Sequence, residues 1–218
     1  LMTATSKEDG SFSFEGIPYG TWYIREIKQP VGFVLDDTVY PVSIGKDAQV
    51  VEIKIVNKYI RGNIHLTKVD AEYPDNKLTG ATFEVYKDSN GSGKLDDGDE
   101  LLGTLTEKEI GSYEMKDLFY GRYFVKETKA PEGFVLDTGV YEGMIDTDGK
   151  TCEVENKAGV GFINEAMRGN LKIVKTSSDG KIKGFAFRIN GANGYDIILE
   201  TNDKGEIVIE SIRIGDYT

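Results

Sequence analysis

The sequence predicts an all-β chain of tandem β-sandwich units, the first and last of them truncated. Three observations lead there. The chain repeats itself, its apolar segments are short and alternating with turn residues between them, and no stretch keeps a helical period over ten residues. The repeat is clearest where "WYIREIKQPVGFVLDDT" (22–38) returns as "YFVKETKAPEGFVLDTG" (123–139), and where "NKYIRGNIHLTK" (57–68) returns as "NEAMRGNLKIVK" (164–175). A third landmark occurs as "IPYGTW" (17–22), "LFYGRY" (118–123) and "IRIGDYT" (212–218). By these registers residues 1–61 are the closing part of one unit, 62–165 a complete unit, and 166–218 the opening part of another.

Within the complete unit the strands follow in order. "NIHLTKVD" (63–70) alternates apolar and polar residues, and so does "TFEVYKD" (82–88). "ELLGTLT" (100–106) and "GSYEMKDL" (111–118) are separated by a turn at Gly111. "RYFVKET" (122–128), "VYEGMID" (140–146), "TCEVEN" (151–156) and "VGFIN" (160–164) complete the set, with Gly, Asn and Asp clusters between them. Such a number of short strands in about a hundred residues reads as a β-sandwich.

Bulk properties remove several function classes. With 29% charged and 39% hydrophobic residues in 218, the chain has globular composition. Its net charge of −11 is spread along the sequence, which argues against a nucleic-acid partner. No apolar run reaches the length of a membrane span. The one cysteine, Cys152, excludes an intrachain disulfide and reads as a packed core thiol. The one histidine, His65, points away from the Ile64 and Leu66 face, which argues against a histidine-based triad or metal centre. The opening "LMTATSKEDG" and the end "RIGDYT" read as interior sequence, so the chain is expected to be an excerpt of a longer protein.

Side chains alternate along a strand, and on three strands the apolar stripe ends in a polar residue. Ile64 and Leu66 share a face with Lys68, and Leu171 and Ile173 share one with Lys175. Tyr123 and Val125 lead to Glu127, and Trp22 and Ile24 lead to Glu26. Val160 and Phe162 lead to Asn164, and Ile53 and Ile55 lead to Asn57. Two accounts fit a Lys, a Glu and an Asn aimed at one core. They form a buried salt bridge with a hydrogen-bonded amide. Or they react: burial lowers a lysine pKa and raises a glutamate pKa, leaving a nucleophilic amine and a carboxylic acid that polarises the amide carbonyl and shuttles protons. Attack of Lys68 on Asn164 would expel ammonia and leave a Lys–Asn amide. Asn156 also follows an apolar stripe (Cys152, Val154) and is the reserve for Asn164.

The same residues carry a resemblance. "HLTKVD", "GATFEVY" after the "KLTG" turn, "YGRYFVKETKAPEGF" and an Asn closing the last strand resemble the B-type repeat domains of collagen-binding adhesins and Gram-positive pilins, the CnaB or SpaA-like family. The resemblance spans the chain. It implies immunoglobulin-like, transthyretin-like sandwiches on a bacterial surface, with an intramolecular Lys68–Asn164 isopeptide bond promoted by Glu127. Glu26 is the equivalent promoter in the first unit, and Asn57 and Lys175 are parts of further sites. It also implies a structural stalk in the extracellular cell wall rather than a turnover enzyme, with neighbouring repeats of the same chain as partners. A module that binds a host ligand or glycan directly, and a sortase-polymerised pilin shaft, are the alternatives. "AEYPDNK" (71–77) is similar to the lysine motif of such shafts, but Lys77 stands out of place for it.

"DSNGSGKLDDGD" (88–99) resembles an EF-hand loop, with Asp88, Asn90, Ser92 and Asp96 at ligand positions, Gly93 at the turn and Asp99 in place of the closing Glu. Calcium is therefore the one cofactor the sequence offers. A solvated acidic turn is the other account of the same residues.

Overall fold

A computed structural model describes residues 1–218, and the chain is all-β apart from one short 3-10 turn. It divides into two compact units, Leu1–Ile60 and Arg61–Thr218.

In the first unit β1 (Gly20–Ile24) pairs antiparallel with β2 (Tyr40–Ile44), placing Trp22 opposite Val42. Phe33 bridges to Tyr59, their rings 4.5 Å apart. Residues 51–57 differ from expectation. Ile53, Ile55 and Asn57 are half-buried between exposed neighbours, yet the segment joins no ladder. The reason is visible in the second unit, where the corresponding closing strands pair with the opening strand. Residues 1–60 contain no counterpart of that strand.

The second unit contains β3 (Arg61–Asp70), β4 (Thr82–Lys87), β5 (Glu100–Thr104), β6 (Thr106–Glu109), β7 (Ser112–Phe119), β8 (Gly121–Lys129), β9 (Val140–Ile145), β10 (Thr151–Glu153) and β11 (Phe162–Asn164). They form two sheets. One has the order β10–β3–β7–β6, with β11 on the same edge of β3 as β10; the other has the order β5–β4–β8–β9. All eight segments expected within residues 62–165 contain strands. The ninth, β6, is "TEKE", too polar to announce itself, and is held by β7 alone.

The core lies between the sheets. Ile64 and Leu66 of β3 face Phe83 and Val85 of β4 and Tyr123 and Val125 of β8, all fully buried. The rings of Tyr113 and Phe162 meet Phe83 edge-on at 5.2 and 4.9 Å. Edge-to-face pairs of this kind add about 0.5–1.5 kcal/mol each beyond the area they bury. β10 and β11 both run parallel to β3, which places Lys68 opposite Phe162, two residues before Asn164. The last strands of the domain are thereby tied to its first.

The remaining residues add β12 (Arg168–Val174) paired with β15 (Glu206–Arg213), and β13 (Ala186–Asn190) paired with β14 (Asp196–Glu200). The first pair copies β3–β7 in detail. The ladder slips between Gly169 and Leu171 as it does between Gly62 and Ile64, and Ser211 takes a φ of 55° where Asp117 takes 61°. This segment packs on the end of the sandwich. Arg213 grips the buried Asp70 with two hydrogen bonds of 2.6 and 3.2 Å and donates to Glu72 at 2.9 Å, while Arg168 pairs with Glu72.

Gly111, between β6 and β7, seats the end of β3. Its carbonyl accepts from Lys68 N at 2.6 Å, its φ is +71°, and an added Cβ would lie 2.7 Å from the Lys68 carbonyl oxygen. Gly111→Ala should therefore destabilise the second unit by about 1–3 kcal/mol, through strain and a backbone clash together. Urea unfolding followed by circular dichroism measures this, and a shift below about 0.5 kcal/mol would contradict the close approach.

Candidate functional site

The three polar residues that end apolar stripes meet in the core of the second unit. Lys68 and Glu127 are 0% exposed and Asn164 is 2% exposed. β3 delivers Lys68 from one sheet and β8 delivers Glu127 from the other. β11 delivers Asn164, held in parallel register beside β3.

The contacts are specific. Lys68 Nζ donates to the Phe162 carbonyl at 3.0 Å and lies 5.3 Å from the centre of the Phe162 ring. Asn164 Nδ2 donates to Glu127 Oε2 at 2.8 Å and to the Val135 carbonyl at 2.8 Å. Two acceptors on one side of the amide fix which way it points. The same Oε2 accepts from Asp137 N at 2.9 Å. Glu127 Oε1 and Asn164 Oδ1 are buried and have no hydrogen-bond partner. Such atoms are rare and costly in native interiors.

Burial sets the protonation. It pushes the Lys68 amine down to about 8, against the opposing charges of Glu127, Asp137 and Asp70. Burial also raises the Glu127 carboxyl, although hydrogen bonds from Asn164 and Asp137 N and the charge of Lys68 pull the other way. Both shifts favour the neutral pair. An amine of this pKa is unprotonated in about a tenth of molecules at pH 7, a far larger share than for an exposed lysine. The site therefore holds an amine that is partly unprotonated, a carboxyl whose acid form burial favours and, against that carboxyl, the nitrogen an acyl transfer would expel.

Asn156 does not share this arrangement. Its Nδ2 donates to Asp137 Oδ2 at 2.6 Å and to the Ile163 carbonyl at 2.8 Å, and its Oδ1 accepts from Ile163 N at 2.6 Å. Every polar atom is used, and none of these partners is Lys68 or Glu127.

The first unit repeats half of the constellation. Asn57 Nδ2 donates to Glu26 Oε2 at 2.7 Å and to the Val34 carbonyl at 3.1 Å, and Asp36 N donates to the same Glu26 oxygen at 2.7 Å. No counterpart of Lys68 accompanies them, and both side chains are only half-buried. Lys175 follows β12, half-buried, its Nζ donating to the Thr176 carbonyl and lying 4.7 Å from the centre of the Phe185 ring. Sequence reasoning missed Asp137 and its counterpart Asp36. The shared "GFVLD" was the available signal, but it reads as an ordinary turn.

The chain matches the SpaA prealbumin-like fold domain over residues 1–59 and again over 62–158. It belongs to that family. Among solved structures it is similar to the Bacillus anthracis TIE protein, with 25% identity and a TM-score of 0.74 over 98% of this chain and 38% of that one. It is also similar, more loosely, to a streptococcal ancillary pilin (21% identity, TM-score 0.38, 92% of this chain and 65% of that one). A third likeness is to the major pilin subunit of Bacillus cereus (26% identity, TM-score 0.36, 51% of this chain and 31% of that one). The SpaA-like chain thus spans less than two-fifths of the TIE protein. No curated protein sequence matches it.

The loop 88–99 joins β4 to β5. Gly93 takes a φ of +73°, and its N–H donates to Asp88 Oδ2 at 3.2 Å. Asp96 accepts from Asn90 Nδ2 and Gly98 N, Asp99 accepts from Ser89 N and Asp96 N, and Ser92 Oγ donates to the Lys94 carbonyl. Asp88 Oδ1 is buried without a partner. No three acidic, histidine or cysteine side chains converge there or elsewhere. His65 is spent on Glu153 and Ser112, at 2.6 and 2.8 Å.

The lowered lysine pKa has a thermodynamic consequence. An Asn164→Ala chain, which keeps Lys68 as an amine, should gain stability as pH rises from about 8 toward 10. Folded Lys68 gives up its proton near 8, whereas the unfolded lysine keeps it to its ordinary 10.5, so the unfolded state binds the extra proton and higher pH favours the fold. Above about 10 the trend should reverse, because burial holds the hydroxyls of Tyr113, Tyr123 and Tyr141 near 12 while unfolded tyrosines ionise at 10. Denaturant midpoints across this range measure the effect. The rise should vanish when Lys68→Met is added, and a flat profile without that change would contradict a neutral Lys68.

Proposed function

We propose that this chain is a stretch of a structural stalk on the surface of a Gram-positive bacterium, made of tandem SpaA-like sandwiches, and that its complete unit is closed by an amide between Lys68 and Asn164. The observation that carries this is the buried contact of Asn164 Nδ2 with Glu127 Oε2, beside an amine whose pKa burial has lowered. A buried salt bridge with a hydrogen-bonded amide would put Lys68 Nζ on the Glu127 carboxylate, whereas Nζ donates to the Phe162 carbonyl and Glu127 Oε1 has no partner.

The step balances without any co-reactant. Neutral Lys68 Nζ attacks Asn164 Cγ, and the Glu127 carboxyl, protonated at the start, gives its proton to Nδ2. It takes one from Nζ in return, the Cγ–Nδ2 bond breaks, and ammonia leaves. Glu127 ends as it began, but Lys68 and Asn164 are consumed, so the chain acts once on itself and is not a turnover enzyme. The contact at the leaving nitrogen gives Glu127 the proton-delivery role most directly.

The bond would join the first and last strands and so close a loop of about a hundred residues. By analogy with a disulfide around such a loop, chain entropy gives about 4–5 kcal/mol. Against tension the effect is different in kind: a pull applied outside Lys68 and Asn164 cannot extend what lies between them. That suits a stalk under shear. The parallel of β12–β15 with β3–β7, and of the Glu26–Asn57 contact with Glu127–Asn164, supports the tandem arrangement, with truncated units at 1–61 and 166–218.

Direct ligand binding finds less support. The hollow of about 430 Å³ beside Glu72, Tyr73, Phe134 and Tyr195 has both of its arginines already paired, Arg213 with Asp70 and Glu72 and Arg168 with Glu72.

Intact mass tests the bond. The wild-type chain should weigh one ammonia less than its sequence, and Lys68→Ala, Glu127→Ala and Asn164→Ala should each restore the full mass. A full mass for the folded wild type would refute the amide.

A second proposal concerns residues 88–99, where a calcium ion would find Asp88 Oδ1 unpartnered and Asn90, Ser92, Asp96 and Asp99 on the same loop. Calcium should then raise the melting temperature, and Asp88→Ala should abolish the rise. No shift at millimolar calcium would leave the solvated turn.

A further inference from the structure

Beneath the reacting groups lies a second layer of hydrogen bonds that the bond-forming step does not consume. Asp137, in the connection between β8 and β9, is its centre. Its N–H donates to Glu127 Oε2, the oxygen that also holds Asn164. Its carboxylate accepts from Tyr141 Oη at 2.8 Å and from Asn156 Nδ2 at 2.6 Å on Oδ2, and from Gly139 N at 2.7 Å on Oδ1. Burial pushes this carboxyl up, but the bonds from Asn156, Gly139 and Tyr141 outweigh it and hold it low, so it is an anion and a strong acceptor. Asn156 then takes both backbone groups of Ile163, the residue before Asn164.

The need for such a layer follows from the strand it holds. β11 is three residues long and follows an irregular stretch from 154 to 161. Its pairing with β3 runs along one side only, so little in the ladder prevents the strand from sliding or tilting. Asn156 supplies the other side, its amide standing in for a neighbouring strand. Tyr141 locks the far end of the chain, and its ring also packs edge-on against Phe162 at 5.0 Å.

On the reading that Lys68 and Asn164 form an amide, we infer that Asp137 and Asn156 are positioning residues for that reaction, Asp137 aiming the Glu127 carboxyl and Asn156 clamping β11 so that Asn164 is held against it. The first unit shows how the parts separate. There Asp36 repeats the Asp137 contacts, with its N–H on Glu26 and Tyr40 Oη on its carboxylate at 2.6 Å. It has no counterpart of Asn156, because residues 50–57 run directly into Asn57. The acid-aiming half of the device is thus common to both units, and the strand clamp belongs to the complete one.

The test is the rate of ammonia loss after refolding. The 218-residue chain is produced unfolded in denaturant, diluted into buffer, and followed by intact mass, with circular dichroism reporting the folded fraction. Asn156→Ala and Asp137→Asn should fold and yet form the amide about ten- to a hundred-fold more slowly than wild type, as expected when reacting atoms are misplaced by about 1 Å. Asn156→Gln keeps an amide donor and acceptor at this position and should recover part of the rate lost in Asn156→Ala. A contribution to stability alone would not produce that recovery at equal folded fraction. Should either single variant fail to fold, Tyr141→Phe keeps the ring packing and removes only the hydroxyl, and a slowing of about threefold or more is expected from its lost bond to Asp137. Folded variants that react at the wild-type rate would overturn the positioning role while leaving the amide intact. A wild-type chain that never loses ammonia would instead overturn the amide itself, and the positioning role with it.

Discussion

Placing an amine and a carboxyl between two apolar sheets is the constraint around which the sandwich of β3–β11 is organised. Lys68 and Glu127 lie where Leu66, Phe83, Val125 and Phe162 have excluded water. Transfer of an unpaired charge into such a place costs several kcal/mol, so the pKa of each group moves in the direction that favours its neutral form. Neutrality makes the lysine a nucleophile and the glutamate an acid. The features that exclude water, the edge-on ring cluster and the β11 strand beside β3, are thus the features that set the chemistry.

Much of this was legible in sequence because strand alternation is simple. The glutamate in "YFVKE" is on the same face as Tyr123 and Val125, and a period of two is enough to say that it points inward. Likewise Lys68 follows Ile64 and Leu66 at the same period, and Asn164 follows Phe162. What alternation does not give is the partner across the core or the orientation of an amide. The sequence suggested that Glu127 would polarise the Asn164 carbonyl. The structure puts its oxygen on the amide nitrogen instead, because Val135 O stands on the same side and both acceptors demand N–H.

Other features were hidden for physical reasons. β6 is an edge strand with only one neighbour, so it needs no apolar face, and "TEKE" shows none. Residues 51–57 have the alternation of a strand but not the ladder, since a backbone becomes a strand only when another backbone offers its hydrogen bonds. Asp137 sits in a turn rich in residues that favour turns for their own sake. Its function depends on Glu127, Tyr141 and Asn156, none of them next to it in sequence. Asn156 was noticed as a possible reactive amide, but its polar atoms are all occupied, and a fully satisfied amide holds structure in place.

The two units also separate what is local from what is not. The contact of Glu26 with Asn57, and of Asp36 N with Glu26, forms within residues that contain no opening strand and no counterpart of Lys68. The acid–amide cradle is therefore a property of the closing strands alone. Full burial is not: Glu26 and Asn57 stay half-exposed where Glu127 and Asn164 are enclosed. Only the docking of an opening strand brings both the amine and the desolvation. On the proposed chemistry, the cradle can assemble early, but the reaction must wait until β3 has paired with β7 and β11 and water has left. The amide then records a fold already reached. It cannot lock a misassembled chain, because a chain with its first strand out of place has neither a lowered lysine pKa nor a lysine within reach.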